Sequence, residues 1–190
     1  MKLSWREGGG IFKKNFMYYK KIIWAALLGI SMLTGVSSSA QDMTLRADTA
    51  LLNFFVGHWN GEGVFSNGAK IAAEISFSLS LDSSWLVYEH RDRLPNRWKA
   101  TSYWGVDGVT GKFVAYCFDN FQGHRSFDSN GWKSGRLILS GQGWLPKVGL
   151  YFEHFIYERT GERSFKMSYE TSRDGISWQM GDWLVFKKEG

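Results

Sequence analysis

From residue 59 to residue 187 apolar and polar side chains alternate almost throughout, in short runs broken by turn signals, and this restricts the possible folds more than anything else in the chain. Successive side chains of a strand point to opposite faces. Residues 70–81 therefore read as a half-buried strand, with Ile71, Ala73, Ile75, Phe77 and Leu79 on one side and Ala72, Glu74, Ser76, Ser78 and Ser80 on the other. The same pattern at 59–65, 85–92, 100–106, 112–119, 125–128, 136–140, 150–158, 164–171 and 178–187 predicts ten strands in all. Between them stand Asn67-Gly68, Asp82-Ser83-Ser84, Pro95-Asn96, Asp107-Gly108, Asn130-Gly131, Thr160-Gly161 and Asp174-Gly175, whose backbone preferences suit tight turns. Connections this short join antiparallel neighbours. An open sheet leaves two unpaired edges, and curling the sheet shut removes both. The expected fold is thus all-β, a single closed antiparallel barrel of about ten strands. Only 48–56 has helical spacing, with Leu51, Leu52, Phe55 and Val56 on one face and Asp48 or Thr49 as cap.

The first forty residues follow a different logic. Ile22 to Val36 is a run of fifteen residues without a charge, preceded by Lys20-Lys21 and followed by Ser37-Ser38-Ser39-Ala40. A bilayer-spanning helix needs about 20 apolar residues, so this shorter run with small residues behind it reads as a secretory signal at 1–40. Cleavage is expected after Ala40, leaving 190 − 40 = 150 residues, 41–190, as one undivided domain. Met17 to Ala40 alone would make a signal of ordinary length, which points to Met17 as the start of translation. No Cys follows the apolar run, so a lipidated terminus is not expected. The product should be exported, periplasmic or secreted, without a stable membrane anchor.

The leader also accounts for the net charge of +5. Residues 1–40 hold Lys2, Arg6, Lys13, Lys14, Lys20 and Lys21 against Glu7, which leaves 23 − 6 = 17 basic and 18 − 1 = 17 acidic residues in the remainder. A neutral body gives no support to nucleic-acid binding. The lone Cys117 rules out an intramolecular disulfide and, lying between apolar neighbours, reads as a small buried hydrophobe.

Phe54-Phe55-Val56-Gly57-His58-Trp59-Asn60-Gly61-Glu62-Gly63 resembles the G-x-W opening of lipocalin-like barrels. It is closer still to the opening of nitrobindin-like proteins and of the domain-of-unknown-function family numbered one-five-seven-nine. Gly105-Val106-Asp107, Thr110-Gly111-Lys112-Phe113-Val114, Phe118-Asp119 and the stretch from Gly135 to Gly141 extend the likeness to the latter over roughly residues 50 to 187. The resemblance implies a calycin-like barrel closed at one end by the short helix, with Gly57 and Trp59 as its structural motif and Trp59 packed under the floor. Relatives of nitrobindin bind haem through a His on the last strand. Here that strand, from Trp178 to Phe186, holds no His, so haem would need a non-standard ligand and no cofactor is expected.

Strand parity singles out the candidate site. With 159–162 as a loop, Glu158 faces Arg163, His154 lies opposite Met167 and Phe152 opposite Tyr169, so Phe152, His154, Ile156, Phe165, Met167 and Tyr169 share the apolar face. Across 81–84, Ser80 meets Trp85, which brings Leu86, Tyr88 and His90 to the face of Ile75 and Phe77. A one-residue slip in either connection would flip these assignments. An inward imidazole needs a partner, and Tyr88 or Tyr116 could provide it. His58 and His124 read as surface residues. Glu153 and Glu170, the nearest thing to a paired-carboxylate site, fall on the presumed outer face beside Lys166. No nucleophile elbow, phosphate loop or metal-ligand spacing is present, so neither catalysis nor a metal is expected.

Small barrels either fill their interior with side chains or hold one ligand, and both readings stay open at this point. In the first, the lumen binds a small, largely apolar molecule through Ile75, Phe77, Tyr88, Phe152, Ile156 and Met167, with His90 and His154 orienting a polar group. In the second, the barrel is a solid scaffold and Trp98, Trp132 and Trp144 on its loops contact a glycan or a protein.

Overall fold

A computed structural model describes residues 48–190, so the leader, its cleavage site and the choice between Met1 and Met17 lie outside the described residues. A short helix α1 (Thr49–Phe55) precedes ten strands, β1 (Gly57–Phe65), β2 (Lys70–Ser80), β3 (Trp85–Asp92), β4 (Lys99–Val106), β5 (Phe113–Asp119), β6 (His124–Ser129), β7 (Arg136–Leu145), β8 (Gly149–Gly161), β9 (Ser164–Ser172) and β10 (Trp178–Lys188). Each strand pairs antiparallel with its sequence neighbours, and β1 pairs with β10, so the sheet closes into the expected barrel. The seam depends on Gly61 and Gly63, where a methyl group would run into the Phe186 ring and the Trp183 carbonyl respectively. It continues past the strand ends, where the Glu189 N–H donates to the His58 carbonyl at 2.9 Å.

Seven residues are too few for a stable isolated helix, and α1 is held by its neighbours. The Asp48 side chain caps it by accepting from the Ala50 N–H at 2.8 Å. At its other end two carbonyls that have lost their helical partners are satisfied from the barrel, Phe55 O by Trp59 Nε1 at 2.8 Å and Phe54 O by Lys188 Nζ at 3.0 Å. Leu51, Phe54 and Phe55 are buried. Phe55 enters the barrel base, its ring 4.8 Å from Phe77, 5.3 Å from Phe165 and 5.9 Å from both Trp104 and Tyr157. Rings of this size each contribute roughly 2 to 3 kcal/mol on burial, so this end of the barrel is a packed plug. Trp59 is buried against it, its ring 4.8 Å from Phe165 and 5.5 Å from Phe54.

Parity across the 81–84 connection is as expected, since Ser80 pairs with Trp85, Phe77 with Tyr88 and Ile75 with His90. Between β8 and β9 it is reversed. The strands run on to a two-residue turn at Glu162-Arg163, and one extra residue, Thr160, is inserted between the pairs Arg159–Phe165 and Gly161–Ser164. This bulge flips the whole of β8. His154 consequently pairs with Glu170 rather than Met167, and Glu153, Phe155 and Tyr157 take the inward positions assigned to Phe152, His154 and Ile156.

Candidate functional site

Antiparallel connections alternate between the two ends of a barrel. The end opposite α1 carries the connections at 66–69, 93–98, 120–123, 146–148 and 173–177, and here the interior opens into a cavity of about 360 Å³. That volume falls in the range of roughly 300 to 1,000 Å³ typical of small-molecule sites. Its walls are mainly apolar, from Phe65, Ile71, Trp98, Phe121, Phe155, Met167 and Leu184. Its polar side chains come from strand ends, with His90 and Asp92 on β3, Arg125 on β6, Tyr169 on β9 and Asp182 on β10, and from the 93–98 connection, with Asn96 and Arg97.

His90 is buried and doubly bonded. Tyr88 Oη is 2.7 Å from Nδ1, and Asp92 Oδ1 is 2.8 Å from Nε2. In the neutral ring, Nε2–H donates to the carboxylate and the Tyr88 hydroxyl donates to Nδ1, which meets the burial requirement in full. Burial pushes the Tyr88 hydroxyl pKa well above its ordinary value, which keeps it a donor. Trp98 covers the imidazole, ring centroids 4.6 Å apart.

A second group surrounds Arg125, whose Nη1 donates to Glu153 Oε2 at 3.1 Å and whose Nη2 lies 3.5 Å from Asp119 Oδ2. The guanidinium sits 5.8 Å from the Trp98 ring centroid and 5.6 Å from that of Phe155. Burial opposes the cation, but Glu153 outweighs it and holds the Arg125 pKa above its usual value. Glu153 is fully enclosed, at 0% exposure, and also accepts from the Tyr169 hydroxyl at 3.1 Å. Its Oε1 finds no hydrogen-bond partner among the described residues. The reading of Glu153 as a solvated outer-face residue is therefore corrected, as is any pairing with Glu170, which lies on the opposite face.

Asp182 differs from both groups. Its carboxyl lines the cavity and makes no hydrogen bond among the described residues, and burial, reinforced by the charge of Asp92, pushes its pKa up to about 6. The inner charge balance is acidic, with Asp92, Asp119, Glu153 and Asp182 against Arg125, itself already engaged by two carboxylates, and Arg97 at the mouth. Burial also raises the thiol pKa of Cys117, which lies buried in the wall.

Of the residues singled out from the sequence, His90 and Met167 line the cavity. Ile75, Phe77 and Tyr88 face inward but belong to the packed half below it, Tyr88 reaching the site through His90. Phe152, His154 and Ile156 take the outer face of β8, where Ile156 is nonetheless buried and His154 stacks on Trp178 with centroids 3.5 Å apart and bonds Glu170 through Nδ1 at 3.0 Å. Tyr116 is exposed and is no partner for a buried His. His58 and His124 are exposed, as expected, although His124 opens β6 rather than sitting in a loop. The three loop tryptophans share no surface. Trp98 lines the cavity, Trp132 stacks on Phe54 at the closed end with centroids 5.6 Å apart, and Trp144 is exposed.

Asp92, Arg125 and Asp182 were missed although their parity is legible. Asp92 follows Leu86, Tyr88 and His90 on one face, Arg125 shares a face with Phe127, and Asp182 precedes Leu184 and Phe186 at the same spacing. Glu153 had no such signal, because the Thr160 bulge that turns it inward leaves no unambiguous mark in the sequence.

The cavity offers haem no free imidazole. His90 is the imidazole on its wall, and both ring nitrogens are already engaged, so histidine ligation of iron does not fit. Among the described residues no group of three or more His, Cys, Asp or Glu could hold a metal ion, and no helix is long and apolar enough to cross a membrane.

No family model matches the chain, and no curated protein does so either. Among solved structures it is similar to the crystal structure of Rv2717c from M. tuberculosis, at 14% sequence identity and a TM-score of 0.49, over 76% of this chain and 99% of that one. The barrel assignment rests on the strand pairing of this chain itself.

Proposed function

We propose that this is an exported binding protein that holds a small amphipathic molecule in the open half of its barrel, without catalysing its conversion. The apolar body of the ligand would lie against Phe65, Trp98, Phe121, Phe155 and Met167, and a hydrogen-bond-donating end, an amine or a hydroxyl, would meet Asp182. The observation that carries this reading is the Asp182 carboxyl, exposed to an apolar cavity without a protein partner. Burial in this apolar setting disfavours the ionised carboxyl, and a donor on the ligand would stabilise it. An anionic ligand is disfavoured deep in the lumen, because Glu153 and Asp119 already neutralise Arg125 and two more carboxylates face the space, while Arg97 stands at the mouth. Binding rather than catalysis is supported by the two nitrogens of His90, both committed to structural bonds. Export is supported by the charged, apolar and small-residue sequence of 20–40.

Native mass spectrometry of the protein purified from its own host tests the proposal. A retained small molecule is expected on the wild type and should be lost from Asp182→Asn, which keeps the side-chain shape and removes the acceptor charge. A wild type that carries no molecule, and binds lipophilic amines no better than the variant by quenching of Trp fluorescence, would overturn it.

A further inference from the structure

The rim of the cavity is apolar on its outside as well. Leu94 on the 93–98 connection is 79% exposed, Phe121 on 120–123 is 69%, Trp144 beside 146–148 is 68%, and Ile176 on 173–177 is 83%. Leu145, Val148 and Leu150 flank Trp144 and are exposed too. An isolated exposed leucine needs no explanation, but seven such side chains around one opening do. Among the described residues, the connections of the closed end expose only Leu81 and Val109 as large apolar side chains.

The charged residues of these connections are mostly basic. Arg97, Lys147 and Arg173 are exposed, whereas Arg93 is paired with Glu74 at 3.0 Å. The Asp174 carboxylate is tied into its own turn, accepting from the N–H groups of Ile176 at 2.8 Å and Ser177 at 2.7 Å, and those bonds hold its pKa below the ordinary value. Asp174 thus stays ionised and offsets one of the three cations, and the mouth presents separate apolar tips with a positive balance of 3 − 1 = 2 around a hole.

We propose that the open end of the barrel docks on an anionic bilayer surface, with Leu94, Phe121, Trp144 and Ile176 entering the interface and Arg97, Lys147 and Arg173 meeting lipid headgroups. A folded protein partner calls for a continuous, complementary patch packed like an interior. Tips on separate short connections around an aperture offer no such patch, whereas a fluid interface accommodates scattered apolar side chains, with Trp at headgroup depth. The positive rim matches anionic lipid, the charge complementarity that selects this occupant. Phe121 and Arg97 belong both to the rim and to the cavity wall, so a docked molecule would open its lumen toward the acyl region. This inference goes beyond the cavity reading and does not depend on it.

The test uses the exported form of the chain, without the apolar 22–36 run that would itself enter vesicles, with single thiols introduced by Ile176→Cys or Val109→Cys and labelled with an environment-sensitive fluorophore. Cys117 is buried with a raised pKa, so labelling falls on the new thiol. Vesicles of phosphatidylcholine containing phosphatidylglycerol should raise and blue-shift the emission at position 176 and leave position 109 unchanged. Each of Arg97→Gln, Lys147→Gln and Arg173→Gln should lower affinity for these vesicles roughly fivefold at low salt. Silence at position 176, an equal response at both positions, or a response at 176 that rises with protein concentration in the absence of vesicles, as self-association would give, overturns the proposal. So does indifference of affinity to the three cations.

Discussion

Replacing Asp182 by Asn should stabilise the fold and weaken the site at once. The carboxyl pKa rises from 3.8 to about 6 on folding, mainly through burial and secondarily through Asp92. Roughly a hundredfold bias against the ionised form corresponds to about 2 to 3 kcal/mol at neutral pH, the lower figure allowing for the part of the side chain that still meets solvent. The sign follows from the direction of the shift. A group that holds its proton more tightly when folded contributes stability that is fully present below about pH 3.8 and is lost as the pH rises through about 6. Asp182→Asn should therefore match the wild type at the acid end of the range and exceed it by up to about 2 to 3 kcal/mol at pH 7.5. Urea denaturation followed by Trp fluorescence across pH 4 to 8 measures the difference, with unchanged m-values confirming that the unfolded state is not the source. A gain of the same size at every pH, or a loss at pH 7.5, would refute the argument that an ionised, unpartnered carboxylate is the cost.

Three further substitutions probe the rest of the site and its frame. Tyr88→Phe removes the hydroxyl bonded to His90 Nδ1 and should cost about 1 to 3 kcal/mol in the same denaturation assay, because the imidazole nitrogen is left buried and unpaired. Glu153→Leu leaves Arg125 with only the longer contact to Asp119 and should cost about 3 kcal/mol, while Arg125→Met combined with it should recover more than half, as a double-mutant cycle would show. Gly63→Ala should loosen the β1–β10 seam, seen as faster amide hydrogen exchange in those two strands than in β3 and β4.

What could be read from the sequence divides according to range. Alternation and turn chemistry are local, so the ten strands, the Asp48 cap and the face shared by Ile75, Phe77, Tyr88 and His90 followed from residues close together in the chain. Parity across a turn is equally local but fragile. One inserted residue at Thr160 exchanged Phe152, His154 and Ile156 for Glu153, Phe155 and Tyr157, and with them three of the eight residues of the expected site. Whether the lumen is hollow or filled is not local at all. It depends on how Phe55, Trp104, Tyr157 and Phe165, from four separate elements, meet in the lower half, whereas Phe65, Trp98, Phe121 and Phe155 line the upper half without meeting across it. Both expectations about the interior thus apply, each to one half of the barrel. The polar residues of the upper half escaped notice for another reason, since a charged side chain at an inward position of a strand end reads as the strand running out into solvent.

The β1–β10 seam, with Glu189 bonded to His58, has a practical side. It gathers the start and finish of the barrel at the plugged base, as far from the aperture as the molecule allows. A surface tether attached behind Gly190 would present the aperture outward to whatever flows past. A circular permutant that joins Gly190 to Asp48 by a short linker and is re-cut within 130–135 would move both new ends along the same base, leaving the working rim untouched.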